Sequence, residues 1–387
     1  MKISDDIFQI GVNDHDIDLF EGQYKVPYGM AYNSYLIMDE KVAIMDTVDK
    51  NFTTEWLNNI QKTLNDKTPD YLIVQHMEMD HSSNIMNLLN VYPNIKVVGN
   101  IKTFSMIKQL FNIDINNKIV VNDGDTISLG KHLLQFIFAP MVHWPEVMIT
   151  YDNYNQVLFS ADAFGKFGAL DIKQDWIDEA RRYYIGIVGK YGLQVQSLLK
   201  KISKLEINTI CSLHGPILNN NLSYYISLYD KWSSYLIEEE GITIAYTSIY
   251  GNTKAAAILL EEKLKARGYK NVISFDLARD DIHEAIATSF RFSKLVLASP
   301  TYNTGLFPMM SYFIDGLVER NFQKRSIAII ENGTWAPMAA RIIKDKLSKC
   351  KDLTFIEPIV TLKTAINNSS EKDIETLCDN LCDDLSY

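Results

Sequence analysis

The chain reads as two successive domains, a layered α+β domain followed by an α/β domain with a doubly wound parallel sheet. Three observations predict this. At 387 residues the chain exceeds what one hydrophobic core usually organises. The first half strings short apolar runs together before any regular strand–helix alternation, and the second half alternates strictly.

In the first half the runs are YNSYLIM, KVAIMD, PDYLIV, IKVVG, LLQFIF and QVLFSAD, each of strand length. The segment from Asp175 to Leu205 then takes up helical periodicity, with Ile185, Val188, Leu193, Val195, Leu198 and Leu199 predicted as a buried stripe. At Lys231 to Gly241 the sequence KWSSYLIEEEG ends a helix in charge and glycine, which places a domain boundary at 240/241. Beyond it ITIAYT, NVISFDL, KLVLAS, RSIAII and TFIEP alternate with helical stretches. These are Thr253–Ala266, Asp280–Thr288, Pro308–Arg320, Ala336–Leu347 and Glu371–Leu385. Five buried strands separated by helices predict a five-stranded parallel sheet covered on both faces.

Composition excludes several classes. Apolar residues make up 47% and charged residues 22%, outside the regime of disorder. A net charge of −10 opposes a nucleic-acid partner, which needs a basic footprint. No stretch has the length and apolarity of a membrane span, and the N-terminal residues lack the basic-then-apolar order of a signal peptide, so a cytoplasmic location is expected. Cys211, Cys350, Cys378 and Cys382 are too few and scattered for a disulfide framework, and read as small buried hydrophobes. Without paired CxxC motifs, no rubredoxin-like iron site is expected within the chain.

The sharpest motif is His76-x-Glu78-x-Asp80-His81, directly after the apolar run YLIV. Four potential ligands within six residues, at the end of a strand, let one turn fold around cations. Three more follow at strand ends: His143 in MVHWPE, Asp162 in LFSADAFG and His214 in CSLHGP. His15, His132 and His283 lack such company and read as surface residues. Six ligands make three for each of two metals, and Asp162 has two oxygens with which to bridge them. Imidazole and carboxylate donors without thiolate suit iron, manganese or zinc, and the share of carboxylate favours redox-capable iron.

In the second half, strand ITIAYT (ending at Thr247) runs into Ser248-Ile249-Tyr250-Gly251-Asn252-Thr253 and then a helix. Such a turn offers backbone N–H groups and the positive end of a helix dipole to a phosphate. Asn252 and Thr253 are also ordinary helix caps. Two further loops, ASPTYNTGLFP and ENGTWAP, follow buried strands at the same sheet edge, where ligands of open α/β sheets bind. They contribute Pro300, Thr301, Tyr302 and Asn303, and Asn332, Gly333, Thr334 and Trp335. Three loops converging at one switch point predict a flavin pocket.

The ligand run resembles the metallo-β-lactamase superfamily, whose hydrolases carry His-x-His-x-Asp-His for zinc. Glu78 replaces the second histidine, which is the mark of the flavodiiron branch. YNSYLI, VQHMEMDHSSN, MVHWPEVM, LFSADAFG, EARRYYIGIVGKYGLQVQ and SLHGPI are similar to that family's segments over residues 30–216, and the second half resembles a flavodoxin. Gln75 and Ser83 depart from the residues expected beside the ligands, and ENGTWAP departs from a glycine- and serine-rich third loop.

The resemblance implies a metallo-β-lactamase-like αββα sandwich over 1–240 and a flavodoxin-like domain binding FMN over 241–387. His76, Glu78 and His143 would hold one iron, and Asp80, His81 and His214 the other, with Asp162 between them. Trp144, beside His143, reads either as lining the approach to the irons or as a packed core residue. The implied activity is reduction of dioxygen to water or nitric oxide to nitrous oxide. Electrons would come from rubredoxin, ferredoxin, a deazaflavin or a flavin reductase. The implied assembly is a head-to-tail homodimer, or a dimer of such dimers. The competing readings are a metal-dependent hydrolase with a fused flavodoxin, and an electron carrier with a purely structural metal site. Glu78 and the flavin loops oppose the first, and the number of ligands opposes the second.

Overall fold

The apolar runs of the first half pair into two mixed sheets in a computed structural model that describes residues 1–384. The chain divides into two units, Met1–Asp230 and Lys231–Tyr387. The division falls ten residues before the glycine at which the sequence changes rhythm.

Among the described residues of the first unit, one sheet has six strands. Their order is Ile7–Gln9, Tyr35–Met38, Val42–Met45, Tyr71–Ile73, Lys96–Gly99 and Lys118–Val120. The other has five, in the order Thr126–Ser128, Leu133–Phe138, Met148–Asp152, Val157–Phe159 and Thr209–Cys211. Their facing side chains form one core: Tyr35, Ile37, Ala43, Met45 and Ile73 from the first sheet meet Leu134, Phe136, Met148 and Phe159 from the second. Val42 and Ile44, at the alternate positions, are also buried. Burial on both faces explains why these strands read as continuous apolar runs. Helix Thr53–Leu64 buries Trp56, Ile60 and Leu64, spaced by four residues along one stripe. Each such side chain contributes about 1.5–3 kcal/mol relative to exposure. The result is the αββα order that the resemblance implies.

The helical segment from Asp175 onward is not continuous. It runs as an α-helix Trp176–Tyr183, a π turn Tyr184–Val188, a 3-10 turn Gly189–Tyr191 and an α-helix Gly192–Ile202. At Gly186 an added Cβ would sit 2.7 Å from Tyr24 Cε1, and the Tyr24 hydroxyl donates to the Gly186 carbonyl at 2.8 Å. The missing side chain therefore admits the tyrosine. Leu193, expected in the buried stripe, is 81% exposed, while Val195, Leu198 and Ile202 are buried. The breaks rotate the last helix relative to a continuous 3.6-residue period.

In the second unit the parallel strands run in the order Val272–Asp276, Glu239–Tyr246, Phe292–Tyr302, Gln323–Asn332 and Lys351–Leu362. The short strand Gly305–Leu306 pairs back antiparallel on Phe292–Tyr302. This 2-1-3-4-5 order is that of a flavodoxin-like doubly wound sheet, with its switch point between the strands ending at Tyr246 and Tyr302. Helices Asn252–Ala266 and Asn368–Asp383 cover one face through Ala257, Leu260, Leu264, Ile374, Leu377 and Leu381. Helices Ile282–Arg291, Pro308–Glu319 and Ala339–Leu347 pack together elsewhere on the sheet. Of the expected final helix Glu371–Leu385, Leu385 lies outside the described residues. Cys211 and Cys378 are buried, and Cys350 and Cys382 half-buried, all as free thiols. Among the described residues no helix is long and apolar enough to cross a membrane.

Candidate functional site

Strand Tyr71–Ile73 delivers the ligand-bearing turn to the sheet edge, and a buried carboxylate shapes that turn. Asp46, itself left-handed at φ 54° and fully buried, accepts the Gln75 N–H at 2.7 Å, the Gln75 side-chain amide at 2.8 Å and the His76 N–H at 3.2 Å. Burial pushes its carboxyl up to about 6. Gln75, a departure from expectation in the sequence, thus completes the carboxylate's hydrogen bonding. The chain then turns into the short helix Met79–Ser82, which carries Asp80 and His81.

All seven predicted ligands converge, in two groups whose donor atoms lie within 4.8 Å of one another: His76, Glu78, His143 and Asp162, and Asp80, His81 and His214. In the first group Glu78 Oε2 lies 3.3 Å from His76 Nε2 and 3.0 Å from His143 Nε2. In the second, His81 Nε2 and His214 Nε2 are 2.9 Å apart, with Asp80 Oδ2 3.2 and 3.3 Å from them. Asp162 faces both. Its Oδ2 lies 3.1 Å from His143 and 3.4 Å from His76, and its Oδ1 lies 3.5 Å from His81 and 3.8 Å from His214.

This donor set fits two cations. Both carboxylate oxygens of Asp80, and Oδ1 of Asp162, are buried without a hydrogen-bond partner among the described residues. Such an orphan costs about 1–3 kcal/mol, and more when charged, unless something positive satisfies it. Burial would raise the carboxyls of Asp80 and Asp162, yet the surrounding imidazoles hold both below the ordinary carboxylate range. His143 moves the other way, to about 9: burial lowers it, but its hydrogen bonds to Asp162 and Glu78 prevail. Carboxylates and imidazoles that exchange charge in this way are poised to take a shared cation in place of protons.

Two groups invisible in the motif orient the imidazoles. Glu146, buried, accepts the Met77 N–H at 2.8 Å with the same oxygen that lies 3.0 Å from His76 Nδ1. His214 Nδ1 donates to the Ala31 carbonyl at 2.8 Å. Both contacts leave Nε2 free to ligate. The Trp144 ring stands perpendicular to His76 at 5.4 Å between centroids, and is half-buried. His132, expected at the surface, is instead fully buried, with Nδ1 2.9 Å from Asp152 Oδ2. Its carboxylate partner lies twenty residues away, beyond the reach of a local pattern.

In the second unit a pocket of about 450 Å³ opens at the carboxyl edge of the sheet. The loop into helix Asn252–Ala266 lines it with Ser248, Tyr250, Asn252 and Thr253. The second loop supplies Pro300, Thr301, Tyr302 and Asn303, and the third Asn332, Gly333, Thr334 and Trp335. Thr247, next after the strand and expected to share in cofactor binding, is buried and is not among the residues lining the pocket; its hydroxyl lies 3.1 Å from that of Ser299. Gly251 caps the helix at φ 92°, a conformation natural to glycine, and its N–H donates to Ser248 Oγ at 3.0 Å. Tyr250 and Trp335 are 92% and 91% exposed, so flat aromatic surface rims a polar floor of hydroxyls. Such a pocket fits a planar aromatic cofactor with a phosphate tail. Thr364, from the loop after the edge strand, also lines it and was not anticipated.

Fold and site together define a class: a β-lactamase-like sandwich with paired histidine–carboxylate clusters, joined to a flavodoxin-like domain. Residues 30–215 match the ODP family beta lactamase description. The chain is 31% identical to the nitric oxide reductase of Moorella thermoacetica over 374 residues, which is 94% of this chain and 93% of that one. It is also 31% identical to an uncharacterised protein of Methanocaldococcus jannaschii, over 89% of this chain and 88% of the other. Its fold matches rubredoxin oxygen:oxidoreductase of Desulfovibrio gigas with a TM-score of 0.91 at 23% identity, covering 98% of this chain and 97% of that one. The flavodiiron protein of Giardia intestinalis matches at 0.89 and 24% identity, over 98% and 95%. The chain belongs to the flavodiiron proteins and is an oxidoreductase.

Proposed function

We propose that the chain binds one FMN in its second unit and two irons in its first, and reduces dioxygen to water or nitric oxide to nitrous oxide. The observation that carries this reading is the division of the Asp162 carboxylate, one oxygen toward each histidine cluster. His76, Glu78 and His143 are the proposed ligands of one iron and Asp80, His81 and His214 of the other, with Asp162 shared. When bound, FMN supplies single electrons and the iron pair supplies the site at which the gas is reduced.

The protein's own groups prepare that chemistry. Glu146 and the Ala31 carbonyl hold His76 and His214 with Nε2 inward. Burial of every ligand except the half-buried Glu78 keeps bulk water from competing for the cations. A zinc hydrolase is disfavoured by Glu78, an anion where the hydrolases place an imidazole, and by the second unit, for which hydrolysis has no use. The relative from M. thermoacetica is named for nitric oxide and the structural neighbour from D. gigas for oxygen and rubredoxin, which supports a gaseous substrate and a small electron carrier. The wider choice of donor includes ferredoxin, a deazaflavin or a flavin reductase. A head-to-tail homodimer, alone or paired, and a cytoplasmic location complete the proposal.

The test is elemental and flavin analysis of the purified protein together with electrode measurement of oxygen and nitric oxide consumption while the flavin is kept reduced. About two irons and one FMN per chain, with turnover of at least one gas, is expected. Stoichiometric zinc with full activity, or no consumption of either gas, overturns the proposal.

A further inference from the structure

Thr364 holds a backbone conformation that its side chain opposes. At φ 86° it is a β-branched residue in left-handed territory, which costs about 1–3 kcal/mol and persists only where the surroundings enforce it. They do so here through Asn332, whose side-chain amide is spent on the strained residue. Asn332 Oδ1 accepts the Thr364 N–H at 3.1 Å and its Nδ2 donates to the Thr364 carbonyl at 2.9 Å. The same Nδ2 lies 3.3 Å from Thr253 Oγ1, at the start of helix Asn252–Ala266. A bridge between Lys363 and Ala365 tightens the turn from either side.

The strain places a hydroxyl. Thr364 Oγ1 lies 2.7 Å from Thr334 Oγ1, and both residues line the 450 Å³ pocket. Two hydroxyls bonded to each other use one of their two hydrogens, so the pair keeps a hydrogen to donate outward. Asn332, which holds the Thr364 backbone, also contacts Thr253, at the helix N-terminus where the dipole and free N–H groups favour an oxyanion. Glycine or asparagine would meet the backbone requirement with less strain but would bring no hydroxyl.

Resting on the reading that this pocket takes FMN, we propose that Thr364 and Thr334 form a hydroxyl subsite that recognises the phosphomonoester of the flavin. Discrimination between phosphorylated and unphosphorylated flavin is then built in part by the loop after the edge strand, outside the three loops that frame the pocket.

The test is titration of flavin-depleted full-length protein with FMN and with riboflavin, read by quenching of flavin fluorescence, for wild type, Thr364→Gly and Thr334→Val. Each variant is expected to weaken FMN about tenfold, the scale of one lost hydrogen bond to a charged group, and to leave riboflavin unchanged. Thr364→Gly is also expected to raise the melting temperature of the flavin-free protein, because it releases the left-handed strain. Thr334→Val removes a hydroxyl without touching the backbone, so it tests the subsite even if the glycine loosens the loop. Variants that bind FMN as wild type does, or that lose FMN and riboflavin equally, overturn the subsite. Wild-type protein that binds neither flavin overturns the pocket reading itself.

Discussion

Glu146 Oε1 lies 3.0 Å from His76 Nδ1, and neither side chain has any exposure to solvent. Its other oxygen is buried without a partner among the described residues. A buried carboxylate spent on one imidazole nitrogen fixes which nitrogen faces the metal cluster, and raises the basicity of that nitrogen.

Replacing Glu146 by Gln keeps the volume and removes the charge. Metal affinity is expected to fall about 10–100-fold, while flavin absorbance stays as in the wild type because the pocket belongs to the other unit. Equilibrium dialysis of the metal-depleted protein against cobalt or iron measures the effect directly. Unchanged affinity would reduce the contact to packing.

Asp162→Ala removes the one carboxylate that, among the described residues, faces both histidine groups. Iron content is expected to drop from about two to one or fewer per chain, following the ligand count, and gas reduction to vanish with FMN retained. Normal iron content and turnover in this variant would show that Asp162 does not bridge.

Gly251 separates two effects at the loop proposed to hold the flavin phosphate. An added Cβ meets no atom within 4 Å, so Gly251→Ala suffers only the penalty of φ 92°, about 1 kcal/mol, and keeps its flavin. Gly251→Glu adds an anion beside the helix N-terminus and is expected to yield flavin-free protein. Equal flavin content in both variants and the wild type would place the phosphate elsewhere.

His132 couples stability to pH. Burial lowers its affinity for a proton, but the hydrogen bond to Asp152 and the charges of Asp152, Asp39 and Asp6 outweigh that, so its folded pKa is raised. A raised histidine contributes stability that is complete below about pH 6.5, the unfolded value. The contribution is lost as pH rises through the higher folded value. The groups facing it are Asp152, Asp6 with Lys131 beside it, and the Tyr154 ring, while Asp39 accepts its backbone N–H. The melting-temperature gap between wild type and His132→Gln should therefore be widest in mildly acid solution and shrink toward alkaline pH. A gap that widens with pH would reverse the assignment.

The proposed head-to-tail dimer is tested by mixing chains carrying Asp162→Ala with chains carrying Gly251→Glu under conditions that allow exchange. If electrons cross between subunits, one centre of each mixed dimer has both working cofactors and activity reappears from two inactive parents. Verified mixed dimers that stay inactive would exclude transfer between chains.

The sequence alone determined whatever depends on residue type at short range. Period and run length marked the five strands of the second unit, and the ligand types within His76–His81, with His143, Asp162 and His214 at strand ends, were enough to nominate two metals. Tertiary structure alone decided what depends on partners distant in the chain. Glu146 meets His76 across seventy residues of sequence and His132 meets Asp152 across twenty, and no periodicity encodes either contact. Gln75 looked like a departure until the fold placed Asp46 against it. Leu193 lost its expected burial because the helix breaks into a π turn at Tyr184–Val188 and a 3-10 turn at Gly189–Tyr191 before it resumes. Thr364 entered the pocket of the second unit only because parallel strands bring every following loop to the same sheet edge. That convergence is a property of the sheet, and no stretch of sequence taken by itself contains it.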